Sequence, residues 1–410
     1  MAGILEPQRI VIVGAGLAGA SAAAELRERG YRGGVVVLGG ETHRPYELPP
    51  LSKGLLLGDT DEPDWVRDED FYREHDIDLR LGTVANRVEL GTRVVRDSDG
   101  GEHPYDRLLL ATGSRPRTLP VPGMGVPGVR TLRTLDDSLW LRSAFHTAQR
   151  IVIVGAGWIG TEAAAAARRH GLDVTVVDQI GAPLLPVLGA EVAGVFQDLH
   201  TDNGVNWRLR GGVAEIVGDS DGVRGVRLTD GTELGADLVL VAVGAAPRVE
   251  LAHAAGLELA DDGGVSVDAG LRTAAPDVYA AGDIASHFHP RYGRRIRVEH
   301  WSNAKDQGTH VAGNLLGAQE PYVTSPYFFS DQYDLGCEYR GLADPGTDQL
   351  VVRGDLKSRE FIAFWLREGQ VRAAMNVNVW DHGDALKRMV NGRLKVDEET
   401  LTKGDLSSVG

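Results

Sequence analysis

The chain has 410 residues, of which 42% are hydrophobic and 25% are charged, a composition typical of a globular protein with about two to three domains. Forty-three basic residues against 58 acidic ones give a formal net charge of −15, which argues against a nucleic-acid-binding protein or one that binds an anionic membrane surface. The only cysteine is Cys337, so an intrachain disulfide, a redox-active cysteine pair and a thiolate metal cluster are excluded. Any electrons that the protein handles must therefore pass through a bound cofactor.

The sequence gives no sign of membrane insertion or export. No stretch approaches the roughly 18 apolar residues that a membrane-spanning helix needs. The first apolar run, residues 10–13, is too short for a signal peptide, and Glu6 precedes it where a basic residue would be expected. We therefore expect a cytoplasmic protein.

One motif occurs twice in the first half of the chain. Residues 9–13 and 150–154 have the same sequence, RIVIV, which predicts a buried parallel strand. Each run leads into a G-x-G-x-x-G fingerprint and an alanine-rich helix that stops at a glycine. A second strand follows in each copy, which predicts two βαβ units of the mononucleotide-binding type. The fingerprint glycines are Gly14, Gly16 and Gly19 in the first copy and Gly155, Gly157 and Gly160 in the second; the helices are predicted at 20–29 and 161–170, the second strands at 35–38 and 174–177.

The two fingerprints predict two dinucleotide sites. The first glycine of each allows a tight turn, the second lets the backbone approach a pyrophosphate, and the third lets helix and strand pack closely. The phosphates are expected at the helix N-terminus, where free N–H groups favour negative charge. A carboxylate about 20 residues further on is needed for the adenosine ribose; Asp178 meets this requirement, and Glu41 meets it approximately. Two dinucleotides suggest a flavin and a nicotinamide, but the glycines alone leave open which site holds which.

The remaining elements predict a further domain. Residues 118–128 are rich in proline and glycine, as in a linker. An apolar strand at residues 238–243 ends at Gly244, and residues 361–366 and 371–377 predict a β-hairpin around a short Glu-Gly turn.

Five more motifs lie in order along the chain, and with the fingerprints they resemble the FAD-dependent NADH:ferredoxin reductases of bacterial oxygenase and cytochrome P450 electron-transfer chains. That family includes putidaredoxin reductase, rubredoxin reductase and the biphenyl dioxygenase reductase. The motifs are PPLSK at 49–53, LLATGSRP at 109–116, LRT at 132–134, AAGDIA at 280–285 and FSDQYD at 329–334.

The resemblance implies an α/β fold with two Rossmann-like dinucleotide-binding domains of the glutathione-reductase type and a small C-terminal α+β domain. It places an FAD-binding domain at residues 1–119 and 248–325, an NAD-binding domain at 120–247 and the C-terminal domain at 326–410.

The resemblance also assigns non-covalent FAD to the first fingerprint and NADH to the second, with no metal site. Some residues that the resemblance assigns to FAD binding also have a structural interpretation. Ala111, Thr112 and Gly113 could form a surface turn, Asp283 could cap a helix N-terminus, and Trp301 could pack in the core. The predicted cofactor-binding residues are Gly14, Gly16, Ala18, Gly19, Glu41, Lys53, Ala85, Ala111, Thr112, Gly113, Arg133, Asp283 and Trp301, together with Gly155, Gly157, Ile159, Gly160, Glu162, Asp178 and Gly244.

Lys53 and Glu162 are the predicted catalytic residues. The resemblance places Lys53 beside flavin N5, where an ammonium stabilises negative charge on the reduced ring. Glu162 comes early in the second helix, where it would face the nicotinamide and pair with Lys53. The alternatives are a solvated loop lysine and a first-turn glutamate favoured by the helix dipole.

Asp178 also predicts the nicotinamide preference. Its carboxylate accepts a hydrogen bond from a ribose 2′-hydroxyl and repels a 2′-phosphate, and residues 179–182 supply no arginine to bind that phosphate. We therefore expect NADH to be preferred over NADPH. The sequence departs from the family pattern at three places. Gly40 leaves the FAD ribose to Glu41 or the backbone, and Leu48 stands where many relatives have an arginine that could make a charged contact. Tyr327 and Phe329 replace tryptophans.

The predicted partner is a [2Fe–2S] ferredoxin that feeds a cytochrome P450 or a Rieske-type oxygenase. Arg291, Arg294, Arg295 and Arg297 cluster within seven residues and could steer an acidic partner; the alternative is a solvated loop.

Three rival functions share this architecture. A flavin disulfide reductase would need a cysteine near the flavin, and Cys337 lies in the wrong part of the chain. A rubredoxin reductase, and an NADH-responsive binding protein resembling apoptosis-inducing factor, stay open.

Overall fold

The computed structural model describes residues 7–409, which form two compact units built from interleaved segments. The first unit consists of Met1–Glu47, Asp64–Arg115 and Ala246–Pro326, and the second of Leu48–Pro63, Pro116–Ala245 and Tyr327–Gly410. The segment Leu48–Pro63, which the predicted domain boundaries place with the FAD-binding domain, thus packs with the second unit. The three-domain division itself stays a prediction.

The first unit is centred on a five-stranded parallel sheet. Its three central strands are apolar after their first residue because both faces of the sheet are covered. Helices Leu17–Glu28 and Trp301–Leu315 pack so closely that a Cβ atom at Gly308 would collide with the carbonyl group of Ala18. In spatial order the strands are Val278–Ala280, Arg107–Leu110, Arg9–Val13, Gly34–Leu38 and Ile77–Arg80.

Smaller elements complete the first unit. One three-stranded sheet contains Ala85–Glu89, Val94–Asp97 and Glu102–Pro104, and another contains Val265–Val267, Ala285–His289 and Arg294–Ile296. The short helices are Phe71–Glu74, Glu250–Ala254 and the 3-10 turn Gly282–Ile284; strands Ser114–Pro116 and Ala245–Pro247 lie where the chain passes between the units.

The second unit contains a matching parallel sheet. Its order is Val205–Leu209, Asp173–Asp178, Arg150–Val154, Leu238–Val241 and Val129–Arg130. The strands Val213–Asp219, Gly222–Leu228 and Glu233–Gly235 form a three-stranded antiparallel sheet beside it. The helices here are Gly54–Leu57, Leu135–Phe145, Trp158–Arg169 and Leu185–Asp202, with a 3-10 turn at Pro49–Ser52.

The C-terminal part of the second unit is a five-stranded antiparallel sheet with a helix on each face. Phe361, Ala363 and Trp365 pack toward the helix Leu185–Asp202, and the alternate residues pack toward the helix Gly383–Gly392. Because both faces of the sheet are covered, the strand Glu360–Arg367 is apolar between its charged ends and does not alternate between polar and apolar residues. The order is Tyr327–Gln332, Leu335–Gly341, Gln370–Val377, Glu360–Arg367 and Gln349–Asp355, followed by helices Gly383–Gly392 and Glu398–Lys403 and the 3-10 turn Leu406–Ser408.

The structure confirms both βαβ units and the α/β fold class. Each fingerprint helix begins three residues before its predicted start, at Leu17 and at Trp158. Both helices are followed by a glycine with positive φ, +84° at Gly30 and +85° at Gly171, a conformation in which glycine costs least. The predicted hairpin is also present, with Glu368 and Gly369 in its turn at positive φ.

Over residues 7–409, none of the helices combines the length and the apolar character needed to cross a membrane.

Candidate functional site

The first fingerprint folds into a tight turn with open space in front of it. Gly14 has a φ of +114°, and a Cβ atom there would collide with the carbonyl oxygen of Ala111. A Cβ atom at Gly19 would collide with the carbonyl oxygen of Gly14, whereas one at Gly16 would meet no atom within 4 Å. The first and third glycines are thus required by packing. The second is required only if a ligand approaches the backbone.

The second fingerprint repeats this geometry. Gly155 also has a φ of +114° and admits no Cβ because of the carbonyl group of Ala242, and Gly160 is blocked by the carbonyl group of Gly155. Gly157 again faces open space. Both helices begin after their second glycine, and among the described residues no side chain caps either N-terminus. The free N–H groups of both first turns are therefore available to a phosphate, and both turns fit a dinucleotide pyrophosphate.

Asp283 lies next to the first fingerprint on a constrained turn. Gly282 has a φ of +80°, its Cβ position is 3.1 Å from the Cβ of Ala18, and its N–H donates to Gln307 Oε1 at 2.9 Å. Asp283 is 6% exposed and accepts a hydrogen bond from Ser114 Oγ at 2.6 Å. Because Asp283 lies inside the 3-10 turn rather than before it, the helix N-cap interpretation is wrong.

The Ala111–Gly113 turn is held by Arg248, the residue after the strand Ala245–Pro247. Thr112 Oγ1 donates to the carbonyl oxygen of Arg248 at 2.6 Å, and the N–H of Arg248 donates to the carbonyl oxygen of Gly113 at 2.9 Å. Ala111 is buried, and its N–H continues the parallel ladder by donating to Val13. This turn is fixed at the carboxyl end of the sheet, where open α/β sheets bind their ligands.

Three more predicted FAD residues lie in the first unit. Trp301 begins its helix and donates its indole N–H to Glu47 Oε2 at 2.6 Å. Ala85 begins a strand of the small sheet, half-buried. Glu41 is exposed and accepts from Tyr46 Oη at 2.6 Å.

Strand register shows how the two copies differ at the ribose position. Val13 pairs with Leu38 as Val154 pairs with Val177, so the equivalent of Asp178 is Gly39 and not Glu41. A Cβ atom at Gly39 would lie 2.6 Å from the Cβ of Ala15. The first copy therefore has no room for a side chain where the second has its carboxylate.

Asp178 itself is half-buried and ties the second fingerprint together. Its carboxylate accepts from the N–H of Ala156 at 2.6 Å and from the N–H of Ile180 at 3.1 Å. The structure also brings Arg210, from the end of the next strand, against Gly181: a Cβ atom at Gly181 would be 3.3 Å from an Arg210 guanidinium nitrogen. The sequence near Asp178 contains no arginine, so only the fold reveals this cation.

The predicted residues Gly244 and Ile159 are both exposed in the second unit, Gly244 with a φ of +98°. Arg133 lies in the same unit immediately before a helix, where its N–H and that of Thr134 donate to Asp137 Oδ2 at 3.0 Å in a capping box.

Lys53 and Glu162 form a buried ion pair. Glu162 projects from the helix Trp158–Arg169 and is 4% exposed, and the Lys53 side chain is 14% exposed. Lys53 Nζ lies 2.7 Å from Glu162 Oε1 and 5.2 Å from the ring centroid of Phe329. A buried charge of either sign needs a partner, so this pair holds each group in place.

Two serine hydroxyls complete the surroundings of the carboxylate. Ser52 Oγ donates to Glu162 Oε2, and Ser330 Oγ donates to Oε1 at 2.6 Å. We call Lys53, Ser52, Ser330 and Glu162 the Glu162 cluster. Its members come from three distant parts of the sequence, and both serines were missed by sequence reasoning although each lies inside a family motif.

The four arginines of the predicted docking cluster differ in exposure and in the hydrogen bonds that their side chains make. Arg297 pairs with Glu299 and donates to the carbonyl oxygen of Asp283 at 3.2 Å, and the Arg297 side chain is 13% exposed. Arg295 donates to the carbonyl oxygens of Val267 and Ser286, each at 2.7 Å. Arg291 donates to the carbonyl oxygen of Val323, and Arg294 is exposed. Three of the four guanidinium groups thus help to hold the fold.

Cys337 is fully buried in the C-terminal sheet, and burial raises the pKa of its thiol. A buried, protonated thiol is a poor nucleophile, which agrees with the exclusion of a disulfide reductase.

Comparisons with known proteins identify two family models along the chain. One, described as pyridine nucleotide-disulphide oxidoreductase, matches residues 8–308, and the other, described as reductase C-terminal, matches residues 327–407.

Individual relatives match nearly the whole chain. The ferredoxin–NAD(+) reductase component of the anthranilate 1,2-dioxygenase system of Burkholderia cepacia is 38% identical over 393 residues, which cover 95% of this chain and 96% of that protein. The structure of the ferredoxin reductase for the CYP199A2 system from Rhodopseudomonas palustris has a TM-score of 0.94 at 36% identity and covers 98% of this chain and 99% of that one. The reductase in a covalent putidaredoxin reductase–putidaredoxin complex has a TM-score of 0.91 at 35% identity, with 98% and 96% coverage.

Proposed function

The chain belongs to the pyridine nucleotide-disulphide oxidoreductase family, and we propose that it is an FAD-dependent NADH:ferredoxin reductase. The observation that carries this proposal is the pair of matching turns around Gly16 and Gly157, each with open space before the backbone and an uncapped helix N-terminus. When bound, FAD accepts a hydride from NADH and returns the two electrons singly to a one-electron carrier.

The first unit supplies the residues that would bind FAD. The N–H groups after Gly16 bind the pyrophosphate, and closely packed glycines keep the turn rigid. Asp283, fixed by Ser114 and by the Gly282 turn, presents a buried carboxylate that accepts hydrogen bonds from hydroxyl groups. Because Gly39 is the counterpart of Asp178, the first unit has no carboxylate at that position. Glu41 or the backbone therefore binds the adenosine ribose of FAD.

The second unit supplies the NADH site. The N–H groups after Gly157 bind its pyrophosphate, and Asp178 faces the adenosine ribose from a position that two backbone hydrogen bonds define. The fixed negative charge favours a 2′-hydroxyl over a 2′-phosphate, so NADH is preferred.

The Glu162 cluster supplies the catalytic charges. Its ammonium and carboxylate are fixed before substrate arrives, so little reorganisation is needed during the reaction. We assign Lys53 to the stabilisation of negative charge in the reduction step and Glu162 to the orientation of Lys53 and of the nicotinamide.

The electron acceptor is a [2Fe–2S] ferredoxin that serves a cytochrome P450 or a Rieske-type oxygenase. Support comes from the named relatives, which are reductases of a dioxygenase and of a P450 system, and from the arginine cluster, in which Arg294 and Arg295 are exposed. We include a cytoplasmic location in this proposal because the electron donor is NADH.

An anaerobic titration tests the function directly. The purified protein, with its flavin absorbance, is mixed with NADH or NADPH in a stopped-flow instrument, and candidate ferredoxins with cytochrome c are then added. We expect rapid bleaching by NADH and ferredoxin-dependent turnover. A colourless protein that cannot be reconstituted with FAD would refute the proposal. A long-lived reduced complex with negligible turnover would favour the NADH-responsive binding protein instead.

The catalytic assignment has its own control. Lys53→Met removes the charge and Lys53→Arg retains it, so flavin reduction should slow at least tenfold in the first variant and less in the second. Equal rates in Lys53→Met and the unmodified enzyme would remove Lys53 from the reaction.

A further inference from the structure

A line of hydrogen bonds runs from the Glu162 carboxylate into the interior of the second unit. Ser330 Oγ lies 2.6 Å from Glu162 Oε1 and 3.0 Å from Gln332 Nε2. Gln332 Oε1 lies 2.8 Å from His200 Nε2, and Tyr333 Oη lies 3.4 Å from His200 Nδ1. Gln332 and His200 are not among the residues proposed above to bind a cofactor or to act in catalysis.

The chemistry of the groups fixes the direction of each bond. An ionised carboxylate only accepts, so Ser330 must donate its proton to Glu162. The Ser330 oxygen then accepts from the amide NH₂ of Gln332, which turns the amide oxygen toward His200. That oxygen requires a proton on His200 Nε2 and leaves Nδ1 to accept from Tyr333. Every donor in the line therefore points toward Glu162.

Burial makes the line difficult to replace by water. Ser330 and Gln332 are each 1% exposed, and His200 is fully buried. Burial lowers the pKa of His200 to about 4, against the opposing effect of its hydrogen bond with Gln332. The imidazole therefore stays neutral, with one N–H, at physiological pH.

We propose that Ser330, Gln332 and His200 are positioning residues that hold the Glu162 carboxylate ionised and oriented toward Lys53. The assignment rests on the proposed function, because it matters for catalysis only if the Lys53–Glu162 pair acts in the reaction. A hydrogen bond to a charged group is stronger than one between neutral groups, and successive bonds polarise one another. Loss of one link should therefore affect the carboxylate even where the remote residue does not touch it.

Other ionisable groups face Glu162 and enter the same balance. They are Lys53, Asp331 and the Cys337 thiol. Burial raises the pKa of Asp331, with Lys53 opposing that shift. Both shifts favour the neutral form, which adds no second negative charge beside Glu162. The cation that faces Glu162 is Lys53.

The test compares Ser330→Ala, which removes the donor, with Ser330→Thr, which keeps it. Gln332→Met removes the next link at similar volume. Ser286→Ala is the matched control, because its buried hydroxyl also donates to a carboxylate, Asp262, at 2.9 Å in the other unit. The holoenzymes are labelled with ¹³C-glutamate, and the neutral carboxylic acid infrared band that disappears in Glu162→Gln is followed against pH.

We expect this band to persist to higher pH in Ser330→Ala than in the unmodified enzyme, by about one pH unit for loss of a hydrogen bond to a charged group. The acid limb of the flavin-reduction profile should move the same way, so reduction at saturating NADH should slow by up to about tenfold at pH values on that limb. Ser330→Thr should restore both, Gln332→Met should shift the band in the same direction, and Ser286→Ala should change neither.

The outcomes separate this inference from the function it rests on. An unchanged band in Ser330→Ala, with impaired reduction in Glu162→Gln, overturns the inference and leaves the function standing. A shifted band with no effect of Glu162→Gln on reduction supports the network and removes Glu162 from catalysis. An unchanged band in Gln332→Met limits the positioning to Ser330 and refutes it for Gln332 and His200.

Discussion

Replacement of Gly157 by alanine tests the ligand-binding turn directly. Gly157 has φ −81° and ψ −174°, an extended conformation that alanine also adopts, and its Cβ would meet no atom of the protein within 4 Å. Lower entropy of the unfolded chain stabilises such a variant by about 0.4–1 kcal/mol, and a poorer N-cap destabilises it by a similar amount. The free energy of unfolding should therefore change by less than about 1 kcal/mol.

NADH binding should nevertheless suffer. The methyl group would occupy the space into which a pyrophosphate must come, and overpacking of this kind costs about 1–3 kcal/mol. Affinity should fall by roughly 5-fold to 150-fold. The assay is an anaerobic titration of NADH, with urea unfolding measured in parallel.

Gly171→Ala is the control for this experiment. Its φ of +85° disfavours alanine, so it should lose about 1 kcal/mol of stability with unchanged NADH affinity. If Gly157→Ala binds NADH within twofold of the unmodified enzyme, the pyrophosphate does not lie against this backbone and the assignment of the second fingerprint is refuted.

Three further predictions concern specificity, docking and pH. Asp178→Ala should lower kcat/KM for NADH and narrow the preference for NADH over NADPH. The double variant Asp178→Ala/Arg210→Ala should have a lower kcat/KM for NADPH than Asp178→Ala alone. If Asp178→Ala leaves the ratio of the two kcat/KM values unchanged, Asp178 does not bind the ribose. Arg294→Glu should slow ferredoxin reduction most at low salt and leave flavin reduction by NADH unchanged; equal slowing of both steps would refute docking at this exposed arginine. His200 has a pKa of about 4 in the fold and about 6.5 when unfolded, so the unfolded state binds the extra proton and stability falls as pH drops through that interval, by about 1.4 kcal/mol per unit. Between those two pH values, His200→Gln should reduce the slope of the free energy of unfolding against pH by the contribution of one bound proton, about 1.4 kcal/mol per unit. An unchanged slope would show that His200 is not neutral in the fold.

Local patterns were sufficient to predict the geometry of both glycine-rich turns. Gly14 and Gly155 need a positive φ, and Gly19 and Gly160 need a close backbone approach, so only glycine satisfies either position. The helix ends at Gly30 and Gly171 follow from the same requirement. Helix starts were predicted three residues late because the glycine-rich turn passes directly into the first helical residues.

Long-range contacts limited the prediction of the candidate site. Ser52, Glu162 and Ser330 meet only because three segments fold into one unit, and no periodicity or spacing relates them. His200 had no sequence signal, since a single histidine on an apolar helix is usually a core residue. The strand register could not be predicted from the sequence either. Gly39, and not Glu41, is the counterpart of Asp178, because the first copy has two extra residues before its second strand.

The sequence by itself determined the two glycine-rich turns, since these depend on backbone conformations and helix ends that a few adjacent residues control. Only the tertiary structure decided which side chains surround the Lys53–Glu162 pair, which of the four clustered arginines donate to backbone carbonyl groups, and that Arg210 lies beside Gly181. Buried charges and guanidinium groups take the partners that the packed chain brings within hydrogen-bonding distance, and two such partners, Glu162 and Ser330, are separated in sequence by 168 residues.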